Sequence, residues 1–371
     1  MNSQHIETLI IGAGQAGLTT GYYLKRRGRP FLIVDGNQQI GDNWRKHWDT
    51  LRLYTPARYD GLPGLPFPAA RWHFPGKDEV GDYLERYALR FDLPVRTSTR
   101  VERLEPRPGG GYVAFIGDEA IHCDNVVVAT GSFGRTPNVP DFAGELDPAI
   151  QQLHSSQYRR PAQLQPGPVL VVGASHSGQD IAYELAETRP TILCGPSRGN
   201  IPMRPESRRA HVLMPVVIFV FKHVLTRRTP IGRKEMLDVR LHGGPHFRVK
   251  PADLARRGVQ RHEARMTGVD NGRPALGDGT VLEVSNVVWC TGFRQVFDWI
   301  RLPILDEHGW PVEYRGVVDG APGLFFCGLS YQYAFASMVL PGIGRDADYV
   351  ARRIVARSAE APTFATAGTR S

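Results

Sequence analysis

Two glycine-rich turns in the sequence have the composition and spacing that suit the phosphates of a dinucleotide. The first turn consists of Gly12, Ala13, Gly14, Gln15, Ala16 and Gly17. It follows a strand-like apolar run and opens a helical pattern, so the start of the helix would offer N–H groups to a pyrophosphate. The next apolar run ends in Asp35, about twenty residues later, where a carboxylate can hold ribose hydroxyl groups. We therefore predict a dinucleotide site, and a turn without a ligand is the disfavoured alternative.

The second turn lies near the middle of the chain and consists of Gly173, Ala174, Ser175, His176, Ser177 and Gly178. Ser175 replaces the middle glycine, and its small side chain still leaves room for phosphates. The next apolar run has no acid at its end and leads into Ser197 and Arg198. Because a carboxylate would repel a 2′-phosphate whereas Ser and Arg can bind one, this site is predicted to prefer NADPH, with NADH as the alternative. His176 is interpreted as a turn residue and not as a catalytic base.

Two dinucleotide sites in one chain predict a hydride relay. The acid-bearing first site suits a resident FAD, and the basic second site suits an NADPH that comes and goes. The 371 residues predict about two domains, here an α/β fold with two Rossmann-like dinucleotide-binding domains. The formal charge is +8, and between residues 198 and 265 the basic residues far outnumber the acidic ones. Such a patch could attract nucleic acid, anionic lipid or a phosphorylated cofactor, and the lack of a nucleic-acid motif favours the cofactor.

The sequence argues against several other kinds of site. The four cysteines are widely spaced and form no C-x-x-C motif, so neither a redox pair nor a metal site is predicted. They are interpreted as small buried residues. The polar N-terminus lacks a targeting signal, and no apolar run approaches the roughly 20 residues of a spanning helix, so a cytoplasmic protein is expected.

With both turns in place, the sequence resembles the flavin-containing monooxygenase superfamily, above all its short bacterial members and the plant indole-3-pyruvate monooxygenases. The resemblance runs from about residue 8 to 357. It rests on the G-D-N-W segment at 41–44, on L-R-L-Y-T-P at 51–56 and L-P-G-L-P-F-P at 62–68, on F-A-G at 142–144 with His154 and Tyr158, and on two strands that end in A-T-G at 129–131 and C-T-G at 290–292. Each motif alone is weak, whereas their order is specific.

The resemblance implies a split architecture like that of glutathione reductase. Residues 1–158 and 286–357 would form the FAD domain, with an NADPH domain at 159–285 inserted between them and a disordered tail at 358–371. Residues 281–291 would return the chain to the first sheet, and a helix would follow Gly342 and Gly344 over 345–357, its positive end near the flavin.

The same resemblance implies further site residues. Those expected near FAD are Trp44, Arg45, Leu53, Thr55, Val101, Ala129, Thr130, Gly131 and Gly328. Those expected near NADPH are Thr291 and Gly292. Candidate pocket walls are Trp44, Tyr54, Phe133, Tyr331, Tyr333 and Phe335, for which ordinary core packing is the alternative. No single general base is predicted, because the flavin itself carries the chemistry.

The activity that the resemblance implies is that of an NADPH-dependent monooxygenase. Hydride would pass from NADPH to FAD, O2 would be activated as a C4a-(hydro)peroxyflavin, and one oxygen atom would enter a small sulfur, nitrogen or carbonyl substrate. Many relatives stabilise the peroxide with an Asn where this chain has Thr55 and Pro56. An NAD(P)H oxidase or electron-transfer reductase is therefore the main alternative, and a non-catalytic dinucleotide sensor is a remote one. Leu329 after Gly328 and the lack of a cysteine pair argue against a disulfide reductase.

One apolar segment, at 212–225, is not explained by either cofactor site. Its central part, 216–221, is apolar on every side, and arginine pairs at 208–209 and 227–228 flank the segment. We interpret it as a helix packed on the domain interface. A lid over a lipophilic substrate or a shallow contact with a membrane surface is the alternative. The sequence specifies neither the substrate nor the oligomeric state.

Overall fold

The computed structural model describes residues 3–131, 136–197, 199, 201, 203–205, 207–242 and 247–360. Two predicted site residues, Phe133 and Arg198, lie outside the described residues, as does most of the predicted tail, 361–371.

Strands and helices alternate along much of the described chain. The strands are β1 (Ser3–Ile11), β2 (Phe31–Val34), β3 (Val95–Arg96), β4 (Arg103–Pro106), β5 (Tyr112–Ile116), β6 (Glu119–Val128), β7 (Thr136–Pro137), β8 (Gln151–His154), β9 (Val169–Val172), β10 (Thr191–Cys194), β11 (Gln260–His262), β12 (Met266–Asp270), β13 (Arg273–Leu276), β14 (Asn286–Trp289), β15 (Phe293–Arg294) and β16 (Leu324–Phe326). The α-helices are α1 (Gln15–Arg26), α2 (Asp42–Arg45), α3 (Ala57–Asp60), α4 (Lys77–Arg90), α5 (His176–Leu185), α6 (Arg208–Phe219), α7 (Pro230–His242), α8 (Pro251–Arg256) and α9 (Leu340–Glu360).

Two main sheets organise the described residues. The first has the order β3-β2-β1-β6-β5-β4, and β16 also pairs with β6. Its strands β3, β2, β1, β6 and β16 are parallel to one another, whereas β5 pairs antiparallel with both β6 and β4 at the other edge. The second sheet, β11-β10-β9-β14-β8, is parallel throughout. The prediction of an α/β fold with parallel sheets is confirmed.

Each parallel sheet leads from a buried strand into a helix through one of the glycine turns. β1 precedes α1, and β9 precedes α5. The four residues of β9 are all buried, as expected for a parallel strand covered on both faces. This arrangement places each turn at the carboxyl edge of its sheet, where ligands of parallel α/β sheets bind.

The prediction that residues 281–291 return the chain to the first sheet is wrong. β14 lies in the second sheet between β9 and β8, with Val288 opposite both Val171 and Leu153. The apolar residues of β14 suit either sheet. In the structure the strand ends beside the second glycine turn, where Gly173 packs closely on the carbonyl oxygen of Cys290. Cys290 donates its N–H to the carbonyl of Val172 and so closes the edge beside the second turn.

The last helix also differs from its prediction. α9 begins at Leu340, so Gly342 and Gly344 are the third and fifth residues of the helix, and it extends to Glu360, past the predicted end at 357. A Cβ atom on Gly342 would lie 1.9 Å from the carbonyl oxygen of Ala336. The glycine therefore allows the helix start to pack closely on the preceding turn.

The connection between α2 and α4 contributes to the buried clusters beside both glycine turns. Leu53 is buried in one cluster with Ala13 and Ala16 of the first turn. Trp48 and Leu51 are buried in another cluster with Ala174 of the second turn. This segment therefore lies between the two predicted cofactor sites.

The apolar segment at 212–225 forms most of α6 and a π-helical turn, Val220–Val224. Ala210, Met214 and Ile218 face inward and are buried. The prediction of a packed helix is confirmed for this inner face only, because several apolar side chains on the outer face are exposed.

Candidate functional site

The three glycines of the first turn differ in how much space a Cβ atom would have at each position. Gly12 has a φ of +113°, and a Cβ there would lie 2.5 Å from the carbonyl oxygen of Ala129. A Cβ on Gly17 would lie 1.8 Å from the carbonyl oxygen of Gly12. At Gly14, by contrast, no heavy atom of the described residues, apart from Gly14 and its immediate chain surroundings, lies within 4 Å of the Cβ position. Packing therefore explains Gly12 and Gly17, whereas Gly14 borders open space of the kind that a pyrophosphate would fill.

The second turn repeats this geometry. Gly173 has a φ of +105°, and its Cβ would lie 2.4 Å from the carbonyl oxygen of Cys290. A Cβ on Gly178 would lie 1.8 Å from the carbonyl oxygen of Gly173. Ser175 has the extended backbone (φ −87°) that Gly14 also adopts (φ −78°). A side chain is thus tolerated at this position, as expected from the sequence.

Both helices begin without a side-chain cap. Gly14 and Ser175 are the N-cap residues of α1 and α5, and neither makes a side-chain capping hydrogen bond. The first N–H groups of a helix need partners from outside the helix. Together with the open space at Gly14, these N–H groups form a cradle that fits a phosphate-bearing cofactor.

Asp35 joins the end of β2 to the first turn. Its Oδ2 atom accepts a hydrogen bond from the N–H of Ala13 at 2.6 Å, and its Oδ1 atom accepts one from the N–H of Asn37 at 2.7 Å. Each carboxylate oxygen can accept further hydrogen bonds. The carboxylate is therefore held at the turn and can still receive ribose hydroxyl groups.

Other residues predicted to contact FAD gather at the same edge of the first sheet. Ala129 donates its N–H to the carbonyl of Ile11, and Thr130 and Gly131 follow it directly. Gly328 has a φ of +88°, and a Cβ there would lie 2.7 Å from the Cβ of Ala16. The ends of β1, β6 and β16 therefore meet at the first turn.

The remaining predicted FAD residues are more dispersed. Trp44 packs against the buried clusters of both turns, and Val101 is buried in one cluster with Val34. The guanidinium of Arg45 donates to Asp82 at 2.8 Å and to Glu85 at 3.0 Å. Because these carboxylates already engage its charge, a direct contact of that guanidinium with FAD stays a prediction.

The second site contains an acid that the sequence analysis missed. The N–H of Ser197 donates to Oε2 of Glu263 at 3.0 Å, and Arg261 forms an ion pair with the same carboxylate at 3.1 Å. Glu263 directly follows β11, which the sequence analysis did not predict. The pairing of β11 with β10 brings this carboxylate to the predicted 2′-phosphate site.

Thr291 and Gly292 form a turn that is fixed by hydrogen bonds. The hydroxyl of Thr291 donates to the carbonyl of Asn138, and the N–H of Asn138 donates to the carbonyl of Gly292 at 3.0 Å. The Nε2 atom of buried His154 also donates to that carbonyl at 3.0 Å. His154 of the sequence fingerprint therefore supports the nucleotide edge structurally.

Tyr54 connects the loop before α3 with the start of α5. Its hydroxyl donates to Oδ2 of Asp180 at 3.2 Å, and its ring lies 4.7 Å from the imidazole of His176. Burial raises the pKa of Asp180 to about 6, while the nearby Arg248 opposes this shift. Tyr54 thus contacts the helix that follows the second turn, and its role as a pocket wall stays a prediction.

The aromatic candidates after β16 have different surroundings. Tyr331 is fully buried with a φ of +54°, and its hydroxyl has no hydrogen-bond partner in the described part of the chain. Tyr333 instead packs against guanidinium groups, with Arg315 and Arg345 each 4.4 Å from its ring centre. Phe335 lies 4.3 Å from the ring of Phe221. Tyr331 also packs edge-to-face on Phe335, with ring centres 6.2 Å apart. Its buried hydroxyl without a partner is what distinguishes it from Tyr333 and Phe335 as a pocket candidate.

A buried acid near Thr55 also escaped the sequence analysis. The hydroxyl of Thr55 is 2.5 Å from Oδ1 of Asp60, and Oδ2 of Asp60 has no partner among the described residues. Burial raises the pKa of Asp60 to about 8, despite the hydrogen bond from Thr55. The carboxyl group is therefore protonated at neutral pH and can donate a hydrogen bond. It lies at the end of α3, between Ala57 and Leu62, which share a buried cluster with Ala13.

The chain is similar to known proteins in both fold and sequence. A family model described as pyridine nucleotide-disulphide oxidoreductase matches residues 9–216, more than half of the chain. A flavin monooxygenase from Stenotrophomonas maltophilia superposes with a TM-score of 0.78 at 25% identity, covering 96% of this chain and 99% of that one. The chain belongs to this family, within the flavin-containing monooxygenase superfamily.

Two sequence relatives support the same assignment. An uncharacterised CzcO-like oxidoreductase from Geobacillus kaustophilus is 36% identical, over 95% of this chain and 99% of the relative. A probable indole-3-pyruvate monooxygenase from Arabidopsis thaliana, YUCCA7, is 29% identical, over 93% of this chain and 86% of the relative. The predicted resemblance to this superfamily is confirmed.

Membership makes the chain an FAD-dependent oxidoreductase enzyme of the monooxygenase type, with FAD and NADPH as its cofactors. The family name does not imply disulfide chemistry in this member, because all four cysteines, which lie within the described residues, are buried and unpaired. The described residues contain no cluster of potential metal ligands. They also contain no helix long and apolar enough to cross a membrane.

Proposed function

We propose that this flavin-containing monooxygenase family member transfers one oxygen atom from O2 to a small organic substrate at the expense of NADPH. The observation that carries the proposal is the pair of geometrically equivalent turns at Gly12–Gly17 and Gly173–Gly178, joined by the segment around Tyr54. When bound, FAD would accept hydride from NADPH, react with O2 and oxygenate the substrate. Sulfur and nitrogen nucleophiles, ketones and α-keto acids are the candidate substrates.

In this proposal the protein residues bind, orient and exclude water. Asp35 holds the ribose of FAD, and the N–H groups of α1 hold its pyrophosphate. Ser197 and Arg198 receive the 2′-phosphate of NADPH. Buried aromatic side chains such as Tyr331 keep water from the reacting atoms.

The neutral carboxyl of Asp60 is the candidate hydrogen-bond donor in place of the Asn that many relatives carry where this chain has Thr55 and Pro56. Its Oδ1 atom accepts from the Thr55 hydroxyl, so the carboxyl proton would be on Oδ2, which has no partner in the described structure. A buried neutral acid can donate a hydrogen bond, as an amide does, so Asp60 would offer a donor to an oxygen atom of the groups bound beside it.

Stopped-flow spectroscopy tests the oxygenase proposal. The FAD-loaded protein is reduced with NADPH under anaerobic conditions and is then mixed with O2. A lasting near-ultraviolet band that differs from oxidised and reduced flavin is expected. Immediate reoxidation with stoichiometric hydrogen peroxide would instead assign the protein as an NAD(P)H oxidase, the candidate that the missing Asn favours. No NADPH consumption at all would indicate a sensor.

We also propose the split domain organisation, with boundaries moved to fit the strand pairing. β8 and β14 belong to the second sheet, so an NADPH domain from about residue 150 to 292 accounts for the pairing better than one at 159–285. The FAD domain would then comprise the chain before and after this insertion.

A further inference from the structure

The outer face of α6 is the exposed apolar surface that neither cofactor site explains. Val212, Val216 and Phe219 are 74%, 57% and 58% exposed, and Leu213 and Val224 are also exposed. The spacing of four and then three residues places the first three on one stripe of the helix. We call Val212, Leu213, Val216, Phe219 and Val224 the outer apolar face.

This face continues outward from a helix that is already packed on its other side. Met214 and Ile218 are buried in a cluster with Met203 and Phe247, and Tyr54, Tyr59 and Trp72 pack against it. Further core burial therefore cannot account for the outer apolar residues. A soluble helix normally carries polar residues on the face that opposes its core.

The charged residues that flank the outer apolar face indicate the kind of surface that it would bind. From Ser207 to Lys234 the sequence contains seven Lys and Arg residues and no Asp or Glu. Arg208 and Arg209 are exposed at the start of α6, and Arg228, Arg233 and Lys234 are exposed just beyond it. An apolar helical stripe between basic residues matches the interface of an anionic phospholipid bilayer, where acyl chains receive the stripe and headgroups receive the cations.

A second copy of the chain suits this surface less well. Two such faces in a symmetric dimer would bring their basic flanks together, because the same patch contributes from both sides. Like charges across an interface oppose association. A bilayer that contains anionic lipid has the complementary charge.

We propose that the outer apolar face of α6, with its basic flanks, is a peripheral membrane-binding surface for anionic phospholipid. The helix would lie in the plane of the interface and would not cross the bilayer. Its inner side packs with Tyr54, so membrane contact would place one wall of the candidate substrate site beside the bilayer. The surface would serve the enzyme on lipophilic substrates, but the binding itself does not depend on which reaction the flavin performs.

Co-sedimentation of the FAD-loaded full chain with vesicles tests the proposal. The vesicles contain phosphatidylcholine alone or phosphatidylcholine with phosphatidylglycerol. Binding is expected only to the anionic vesicles and is expected to weaken in about 0.5 M NaCl, since salt screens the headgroup charge. The double variant Val216→Asp/Phe219→Asp should lower the bound fraction about tenfold or more.

The control is Leu89→Asp/Val312→Asp, which adds the same charge at two exposed apolar positions outside α6. It should bind like the unmodified protein, and both double variants should retain FAD, which shows that they fold. Three results would overturn the proposal. The first is absence of binding to anionic vesicles, and the second is equal binding by the α6 variant and the unmodified protein. The third is a lipid-free dimer in sedimentation velocity that only the α6 variant abolishes, which would assign the face to a second copy.

Discussion

Gly14 and Gly17 are three residues apart in the first turn, and the structure gives a different reason for each. Gly14→Val should leave the unfolding free energy of the FAD-free protein nearly unchanged but weaken FAD binding about tenfold or more, because the new side chain fills the cradle. Gly17→Ala should instead destabilise the fold by about 2 kcal/mol or more, because its Cβ clashes with the Gly12 carbonyl. Urea unfolding and flavin titration measure the two effects. A Gly14→Val protein that purifies with full flavin content would contradict this assignment.

Asp60 gives the protein a specific pH dependence of stability. The folded protein keeps this proton up to about pH 8, whereas the ordinary value is 3.8. Between these two values the folded state binds more protons than the unfolded state, so the contribution of Asp60 to stability falls as pH rises. Asp60→Asn remains neutral, so its stability relative to the unmodified protein should increase from pH 5 to pH 8, by up to about 1.4 kcal/mol per pH unit.

Urea unfolding at several pH values measures this difference. The exposed carboxylate of Asp319 provides the control, since Asp319→Asn should follow the pH dependence of the unmodified protein. A constant difference between Asp60→Asn and the unmodified protein would show that Asp60 is ionised in the folded state.

Glu263 should limit the preference for NADPH. Its carboxylate lies at the N–H of Ser197, where the 2′-phosphate is predicted to bind, and like charges repel. Glu263→Gln should lower the KM for NADPH by a few-fold, about what one screened charge contributes at an exposed site, and should leave the KM for NADH nearly unchanged. Steady-state kinetics with both coenzymes checks this; an equal change in both KM values would place the 2′-phosphate elsewhere.

For single residues, the sequence predicts the site residues that belong to a local motif but not those that the folded structure brings to the site. The glycine turns, Asp35 and Ser197 follow from spacing along the chain. Asp60 and Glu263 do not, because burial makes the first a neutral acid and strand pairing brings the second to Ser197. Neither effect leaves a motif in the sequence.

Among the elements, α7 is fixed to the chain before β16 by a buried ion cluster. Glu313 accepts from Arg227 at 2.6 Å and lies 3.4 Å from Arg240, and its other oxygen accepts the N–H of Gly316 at 2.6 Å. Arg240 also donates to the carbonyl of Ser330, next to Tyr331. Both Glu313 and Arg240 are largely buried.

Removing the Glu313 carboxylate should therefore lower the free energy of unfolding. Glu313→Ala leaves two guanidinium groups without their partner and should destabilise the protein by about 3 kcal/mol or more in chemical denaturation. Arg103→Ala, which removes an ion pair between exposed side chains, should cost less than about 1 kcal/mol. Similar values for both variants would show that the Glu313 cluster is not a buried anchor.

The strands show where sequence patterns stop being decisive. β2, β9 and β10 were predictable with their bounds, since short apolar runs end at glycine or charged residues. The sheet of β14 was not predictable, because V-V-W is equally suited to either core. The analogy of C-T-G at 290–292 with A-T-G at 129–131 holds, but each motif closes the edge of its own sheet.

In the molecule as a whole, the segment at 44–55 packs beside both glycine turns, which are the predicted cofactor sites. Trp48 and Leu51 are buried with the second turn, and Leu53 with the first. A hydride relay requires that both cofactors reach one reaction space. Tyr54, with its hydrogen bond to Asp180, lies at that junction.

Isotope labelling tests whether the protein transfers an oxygen atom from O2 to an organic substrate. Purified FAD-loaded protein is incubated with NADPH and ¹⁸O2 in the presence of thioethers, amines, ketones and α-keto acids, and the products are analysed by mass spectrometry. Incorporation of one ¹⁸O atom into the organic product for each NADPH consumed in coupled turnover is expected. NADPH oxidation that yields only hydrogen peroxide, with no labelled product from any of these substrate classes, would contradict it.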